Sequence, residues 1–366
     1  MENDIIQDMK QSIKRRAQKN EQKRTYSVAV VATMSAGKSS LLNAMLGARL
    51  LPAKNVACTA NMFVIDDQDG AKTFYARAID SGVPTPWELA TPDYLSALNF
   101  GKHDRIEIYG DIKGIKNIGT GCSVRFFDTP GPNNSLDESH ADVTARLMSS
   151  GDYCLLICVL NATALSTNDE FELLKSIKEK LEAQKRKKVS LVFAINKIDT
   201  FDLDDDNGES IVDTLSNCRD YLEQQVGLKD PVLLPVSASL SLGIRNAFVT
   251  SRELTSEEIG DLGGTKQSER VQISVSMQTA VAQAKLARLI QYYLRHKKEY
   301  LTGLKFSSEA AAAYMKASRL RRNGRLIIGG QNFSVNDLIK VDMLSGIPVL
   351  EDLIESRMRK FYKESR

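Results

Sequence analysis

The stretch Ser27-Val28-Ala29-Val30-Val31-Ala32-Thr33-Met34-Ser35-Ala36-Gly37-Lys38-Ser39-Ser40-Leu41-Leu42-Asn43-Ala44 decides how this chain is read. An apolar run of strand character passes through a short loop into a helical pattern, with Gly37-Lys38-Ser39 at the junction. Strand, tight loop and helix N-terminus make a phosphate cradle, because successive backbone N–H groups converge on an anion that the helix dipole also favours. Lys38 is expected to reach the β- and γ-phosphates of a nucleotide and Ser39 to ligate Mg²⁺, with Thr33, Met34, Ser35, Ala36, Gly37 and Ser40 lining the rest of the cradle. The first position of the Gly-x-x-x-x-Gly-Lys-Ser pattern is occupied by Ala32.

Three further motifs extend the reading. A second apolar strand from Cys122 ends in Asp128-Thr129-Pro130-Gly131. In this Asp-x-x-Gly form, Asp128 is expected to hold a metal-bound water and the Gly131 N–H to sense the γ-phosphate. A third strand, 189–195, runs into Asn196-Lys197-Ile198-Asp199. One carboxylate there can accept from both the N1–H and the exocyclic amine of guanine, a donor pair that adenine lacks, so Asp199 selects GTP over ATP while the stem of Lys197 lies along the base. A fourth strand, 231–236, ends in Ser237-Ala238-Ser239, placed for a backbone N–H to meet the guanine O6. All four motifs fall at the carboxyl ends of apolar strands, where α/β sheets bind ligands. Thr59, within Asn55-Val56-Ala57-Cys58-Thr59-Ala60, is expected to complete Mg²⁺ coordination when the γ-phosphate is present. The fold class that follows is α/β, a P-loop GTPase domain with a mostly parallel sheet flanked by helices.

Lys38 and Asp128 lie 90 positions apart. The interval holds extra strand patterns at 73–79 and 105–109, so the nucleotide domain is enlarged relative to compact GTPases. With Ser35-Ala36-Gly37-Lys38-Ser39-Ser40-Leu41-Leu42-Asn43-Ala44, Leu51-Pro52 ahead of Cys58-Thr59-Ala60, Asp128-Thr129-Pro130-Gly131, Asn196-Lys197-Ile198-Asp199 and the late Ser345-Gly346-Ile347-Pro348-Val349-Leu350, the chain resembles the GTPase domain of the dynamin superfamily, bacterial dynamin-like proteins in particular. The resemblance covers most of the chain and is specific before residue 240. It implies a large GTPase of low nucleotide affinity that hydrolyses GTP to GDP and phosphate with Mg²⁺, is stimulated by G-domain dimerisation, and works in membrane or assembly remodelling. Ser35 matches the serine that helps hold a charge-compensating K⁺ or Na⁺. Met34 falls where eukaryotic dynamins carry a water-orienting glutamine, which leaves catalysis to the Thr59 and Gly131 backbone with Lys38, and implies slow turnover. The resemblance further implies a homodimer through G domains. No long antiparallel stalk follows Ser345, so a short family member, or one served by a stalk-bearing dynamin-like partner, is expected. The rival readings are a switch GTPase regulating a protein or ribonucleoprotein partner, and a nucleotide-binding scaffold with little hydrolysis.

Composition bounds the alternatives. The chain has 366 residues, 42% hydrophobic and 26% charged, with a net charge of +3. That charge is too small to argue a nucleic-acid partner. No apolar run approaches the ~18 residues of a membrane span, and Met1-Glu2-Asn3-Asp4 does not open a signal peptide, so a cytoplasmic protein, at most peripheral at the inner membrane, is expected. Cys58, Cys122, Cys154, Cys158 and Cys218 lack paired metal spacing and are read as reduced core residues. His103, His140 and His296 are too scattered for a metal site.

Four segments are expected. Residues 1–25 read as an N-terminal neck helix with Ile5, Ile6, Met9, Ile13 and Ala17 on one face. Residues 26–240 form the GTPase core, with helices near 168–187 and 209–226. Residues 241–344 form a mainly helical insertion, with a long helix from about Ser268 to Tyr300, an alanine-rich helix at 308–319 and a turn at Asn323-Gly324. Residues 345–366 form a C-terminal neck helix whose Leu350, Leu353, Ile354, Met358 and Phe361 match the stripe of residues 5–17, so that the two helices bury each other's faces. Trp87 is read as a core residue opening a short helix, 202–208 as a solvated acidic loop, and Arg319, Arg321, Arg322 and Arg325 as a solvated basic turn rather than a membrane-facing tip.

Overall fold

The computed structural model describes residues 24–33, 35–52, 61–116, 122–129, 153–183, 189–201, 204, 209–257, 273–274, 280–319, 322 and 324–364. The sheet grows from β1 (Arg24–Ala32), whose Val28-Ala29-Val30-Val31 core is buried on both faces. Parallel neighbours flank it, β7 (Cys122–Asp128) on one side and β8 (Leu155–Asn161) on the other, followed outward by β9 (Ser190–Asn196) and β10 (Leu233–Val236). The near-continuous apolar runs of β8 and β9 are what a parallel strand covered on both faces requires. On the far side, β2 (Phe63–Asp67) pairs antiparallel with β7 and parallel with β6 (Arg105–Gly110). Next comes β3 (Tyr75–Asp80), antiparallel to β6, carrying β4 (Val83–Pro84) and β5 (Glu88–Leu89) on its outer edge. The resulting ten-stranded order is β10-β9-β8-β1-β7-β2-β6-β3-β4, with β5 also on β3. The long interval between Lys38 and Asp128 therefore goes into widening the sheet.

Helices cover the sheet. Among the described residues the helices are α1 (Lys38–Leu46), α2 (Pro92–Phe100), α3 (Asn168–Ala183), α4 (Ile211–Asp220), α5 (Ala238–Glu257), α6 (Ala280–Arg295), α7 (Lys297–Leu304), α8 (Ser308–Ala317), α9 (Val335–Leu344) and α10 (Ile347–Glu364). One hydrophobic core runs from Tyr26 to Tyr362. A small three-stranded sheet joins β11 (Ile273–Ser274), β12 (Arg325–Ile328) and β13 (Gln331–Ser334). None of the described helices is long and apolar enough to cross a membrane.

Several local expectations change. Trp87 does not open a helix. It precedes β5, half-buried beneath the Arg77 guanidinium 4.4 Å above its ring, and α2 starts at Pro92 behind the Thr91 cap, whose Oγ1 accepts the Tyr94 N–H at 3.1 Å. A threonine cap followed by proline is the stronger helix start. Within the expected 268–300 helix, 273–274 is strand, the described helix begins at Ala280, and it breaks at His296. The 209–226 helix is α4 followed by a π turn at Tyr221–Gln225. Arg319, Arg322 and Arg325 are exposed, while Arg321 lies outside the described residues.

The last helix belongs to the main body. Leu350, Leu353, Ile354 and Met358 are fully buried, and α8 packs against α10, where Arg357 donates to both Glu309 carboxylate oxygens at 2.7 Å. At its far end the Tyr362 hydroxyl donates to the Arg24 carbonyl at 2.6 Å, and Phe361 meets the Tyr26 ring edge-on at 5.4 Å. The residues 5–17 expected to cover this stripe lie outside the described residues.

Candidate nucleotide-binding site

β1 delivers the loop after Ala32 to the carboxyl edge of the sheet. The loop turns through two left-handed residues, Ser35 at φ 61° and Gly37 at φ 91°, and Gly37 then caps α1. A Cβ at Gly37 would lie 2.3 Å from the Asn196 Nδ2, so glycine is required there by both backbone and space. No acidic residue stands in the first turn of α1, which leaves the positive end of its dipole uncompensated. Lys38, its side chain 14% exposed, contacts Asp128 at the end of β7. Burial pushes the Asp128 carboxyl up from its ordinary value, and the Lys38 ammonium partly reverses this. Beside it, Thr129 Oγ1 donates to the Val30 carbonyl at 2.9 Å, locking the ends of β1 and β7 together. Ser39 and Ser40 are half-buried on the first turn of α1.

The second half of the site hangs from β9 and β10. Lys197 takes a left-handed conformation at φ 71° and starts the short turn Ile198–Thr200, which places Asp199 opposite the β10 loop. Ser237 Oγ donates to Asp199 Oδ1 at 2.6 Å and Ser239 Oγ to Oδ2 at 2.8 Å. Asn196, buried, joins the two halves: its Nδ2 donates to the Ala36 carbonyl at 2.9 Å and its Oδ1 accepts the Ala238 N–H at 3.2 Å.

The structure thus brings Ser35, Ala36, Gly37, Lys38 and Asp128 together at one end and Asn196, Lys197, Asp199, Ser237, Ala238 and Ser239 at the other. Met34, Thr59 and Gly131 lie outside the described residues. Ser39 and Asp128 offer the hard oxygen donors Mg²⁺ takes, and no cluster of three His, Cys, Asp or Glu suited to an all-protein metal cage exists among the described residues. That donor set fits a Mg²⁺ bound mainly through phosphates. Sequence reasoning missed Asn43. Its amide on buried α1 donates to the Leu51 carbonyl at 2.8 Å and accepts the Leu50 and Leu51 N–H groups at 3.0 and 2.8 Å, fixing the chain where it heads toward 53–60. A polar residue inside the apolar run 41–46 was the available signal.

An anion-seeking loop and a paired carboxylate acceptor, held at a fixed separation by one asparagine on a parallel sheet, define a P-loop nucleotide-binding domain of the GTPase type. The sequence model of the dynamin family matches residues 28–85. The chain is 27% identical over 177 residues, 48% of its length, to Dynamin-like protein A of Bacillus subtilis (strain 168), and the match covers 13% of that protein. Among solved structures it is similar to an oligomerised bacterial dynamin pair, at 16% identity and a TM-score of 0.45, covering 86% of this chain and 48% of that one. It is also similar to Era of Aquifex aeolicus bound to GDP·AlF4⁻, at 17% identity and a TM-score of 0.34, covering 73% of this chain and 66% of that one. The chain thus spans about half the length of the bacterial dynamin and a small part of the Bacillus protein. The match to the dynamin family model falls on the segment that carries the Gly37-Lys38-Ser39 loop.

Proposed function

We propose that this chain is a dynamin-like GTPase that hydrolyses GTP to GDP and phosphate. The observation that carries the reading is the double tie of Asn196 to Ala36 and Ala238, which sets a phosphate-binding loop and a guanine-reading carboxylate at one fixed spacing. Asp199 accepts from the guanine N1–H and 2-amine, with Ser237 and Ser239 orienting its two oxygens and Lys197 flanking the base. Lys38 and the N–H groups of Ser35 to Ser40 neutralise charge as water attacks the γ-phosphorus and the bond to the β-phosphate oxygen breaks. Mg²⁺, held by Ser39 and Asp128 with Thr59, would supply further charge neutralisation at the phosphates. Ser35 remains the candidate for the K⁺ or Na⁺ contact, and Thr59 and Gly131 for the switch contacts. Pairing of G domains and service at a membrane surface are parts of the same proposal. They are supported by the family match over 28–85 and by the bacterial relative's own description as a dynamin-like protein.

The test is GTP turnover as a function of protein concentration. Specific activity that rises with concentration supports a dynamin-like enzyme, a flat low rate supports a switch, and none supports a scaffold. Lys38→Ala is expected to abolish turnover, and Asp199→Asn to move preference from guanine to xanthine nucleotides, because an amide can donate to the xanthine oxygen. Unchanged GTP binding in both variants would remove the assignment.

A further inference from the structure

The helices α6 and α7 lie against the segment that follows β9. Tyr292 donates its hydroxyl to the Phe201 carbonyl at 3.3 Å. Arg295 Nη1 and His296 Nε2 both reach the Asp204 carboxylate, at 3.1 and 2.9 Å. Between these anchors Tyr293 and Tyr300 stack, ring centroids 3.7 Å apart and planes 12° from parallel, both fully buried. The polar groups facing Tyr293 are Ser237, Asp199 and Tyr300. Neither phenol oxygen has a well-formed hydrogen bond among the described residues.

Asp199 itself stands on a single short turn, secured locally by the Thr200 N–H and hydroxyl on the Lys197 carbonyl at 3.1 and 2.6 Å. So short an element has little rigidity of its own, and its position follows from what packs around it. The tyrosine stack lies near Asp199 on the side of Ser237, which itself bonds Asp199, and Tyr292, Arg295 and His296 hold the chain just beyond it.

We propose that α6 and α7 form a positioning brace for Asp199, with Tyr293 and the His296–Asp204 contact as specificity determinants that set how strongly the 2-amine of a guanine base is read. The proposal rests on the reading of Asp199 as the guanine acceptor. None of the brace residues touches the base, so they act as positioning residues. A brace of this kind costs base discrimination when loosened, and spares the phosphate contacts of the distant loop at Lys38.

The experiment is calorimetric titration of the full chain with GDP and with inosine diphosphate in the presence of Mg²⁺. Inosine lacks the 2-amine, so the ratio of the two affinities isolates the second hydrogen bond to Asp199. In Tyr293→Leu, which removes the stacked ring, and in Asp204→Ala the preference for GDP is expected to fall by about fivefold or more, with inosine diphosphate affinity changing far less. Asp204 is half exposed, so that variant keeps the test decisive if the buried substitution fails to fold. Preference retained in Asp204→Ala, or both affinities lowered equally, overturns the brace. A parent chain that binds neither nucleotide overturns the guanine reading and the brace together, whereas a parent with strong GDP preference that the variants keep overturns the brace alone.

Discussion

At the scale of single residues, Gly37 and Glu170 make opposite demands. Gly37 must remain without a side chain, because its φ of 91° and the 2.3 Å approach of Asn196 leave no room for a Cβ. Gly37→Ala is expected to displace Asn196, break its ties to Ala36 and Ala238, and weaken GDP binding at least about tenfold while the chain stays folded. Titration calorimetry beside a thermal melt checks both halves. Glu170, 1% exposed, accepts the Ser166 N–H at 3.1 Å and faces Cys158, Cys218 and Tyr221. Burial pushes its carboxyl up to about 7 from 4.5, with the Ser166 contact pulling the other way. Between those two values the native state holds a proton that the unfolded chain has released, so stability falls as pH rises through that window and stays lower above it. Glu170→Gln is expected to flatten this fall and to exceed the parent at pH ~8 by up to about 3 kcal/mol. Urea unfolding across the pH range reads the difference, and parallel profiles for the two proteins would show that Glu170 does not titrate in this way.

Between elements, Arg245 on α5 is the connecting side chain. Its Nη1 and Nη2 donate to Glu351 of α10 at 2.6 and 2.9 Å, its Nε to Asp342 of α9 at 3.3 Å, and Nη1 again to the Ala44 carbonyl of α1 at 3.0 Å. Two carboxylates facing it hold the guanidinium protonated, and the Arg245 charge opposes the upward push of burial on Glu351. Gly114 admits the Glu351 carboxylate so closely that a Cβ would lie 2.0 Å from it. Removing one member of a buried pair costs more than the pair is worth, because the other charge is stranded. Glu351→Ala is therefore expected to lose about 3–5 kcal/mol in urea unfolding, and Arg245→Met with Glu351→Leu to recover a large part of it. Equal losses in the single and double variants would show that packing volume, not charge, holds these four helices.

For the molecule as a whole, α10 is buried in the same core as the sheet that carries the site. Met358→Asp places an unpaired charge in that core and is expected to destabilise the entire chain instead of freeing a terminal helix. A single unfolding transition shifted by at least about 3 kcal/mol checks this, and a two-step transition would mark α10 as a separate unit. The proposed pairing of G domains is likewise tested on the whole chain. Light scattering with GDP and aluminium fluoride is expected to show a dimer that GDP alone does not give, and one sensitive to K⁺ or Na⁺. A monomer in every nucleotide state would favour the switch reading.

The sequence by itself determined what depends on local backbone chemistry. Gly37-Lys38-Ser39 after an apolar strand, Asp128 and Asn196-Lys197-Ile198-Asp199 at strand ends, and the extra strands before β7 are all written in adjacent residues, because phosphate loops and buried parallel strands are built from short contiguous segments. Only the tertiary structure decided which residues hold those segments in place. Asn196 reaches across 160 positions to Ala36, Arg245 ties Ala44 to Glu351, and Tyr293 comes near Asp199 from an element for which no motif gave a role. Trp87 shows the same limit from the other side, since what placed it was the guanidinium of Arg77 on the neighbouring strand. The last helix carried a legible apolar stripe, yet a stripe states only that a face is buried. That α8 packs on it was settled among elements distant in the chain, where side-chain volume and charge compensation choose between faces that look alike in sequence.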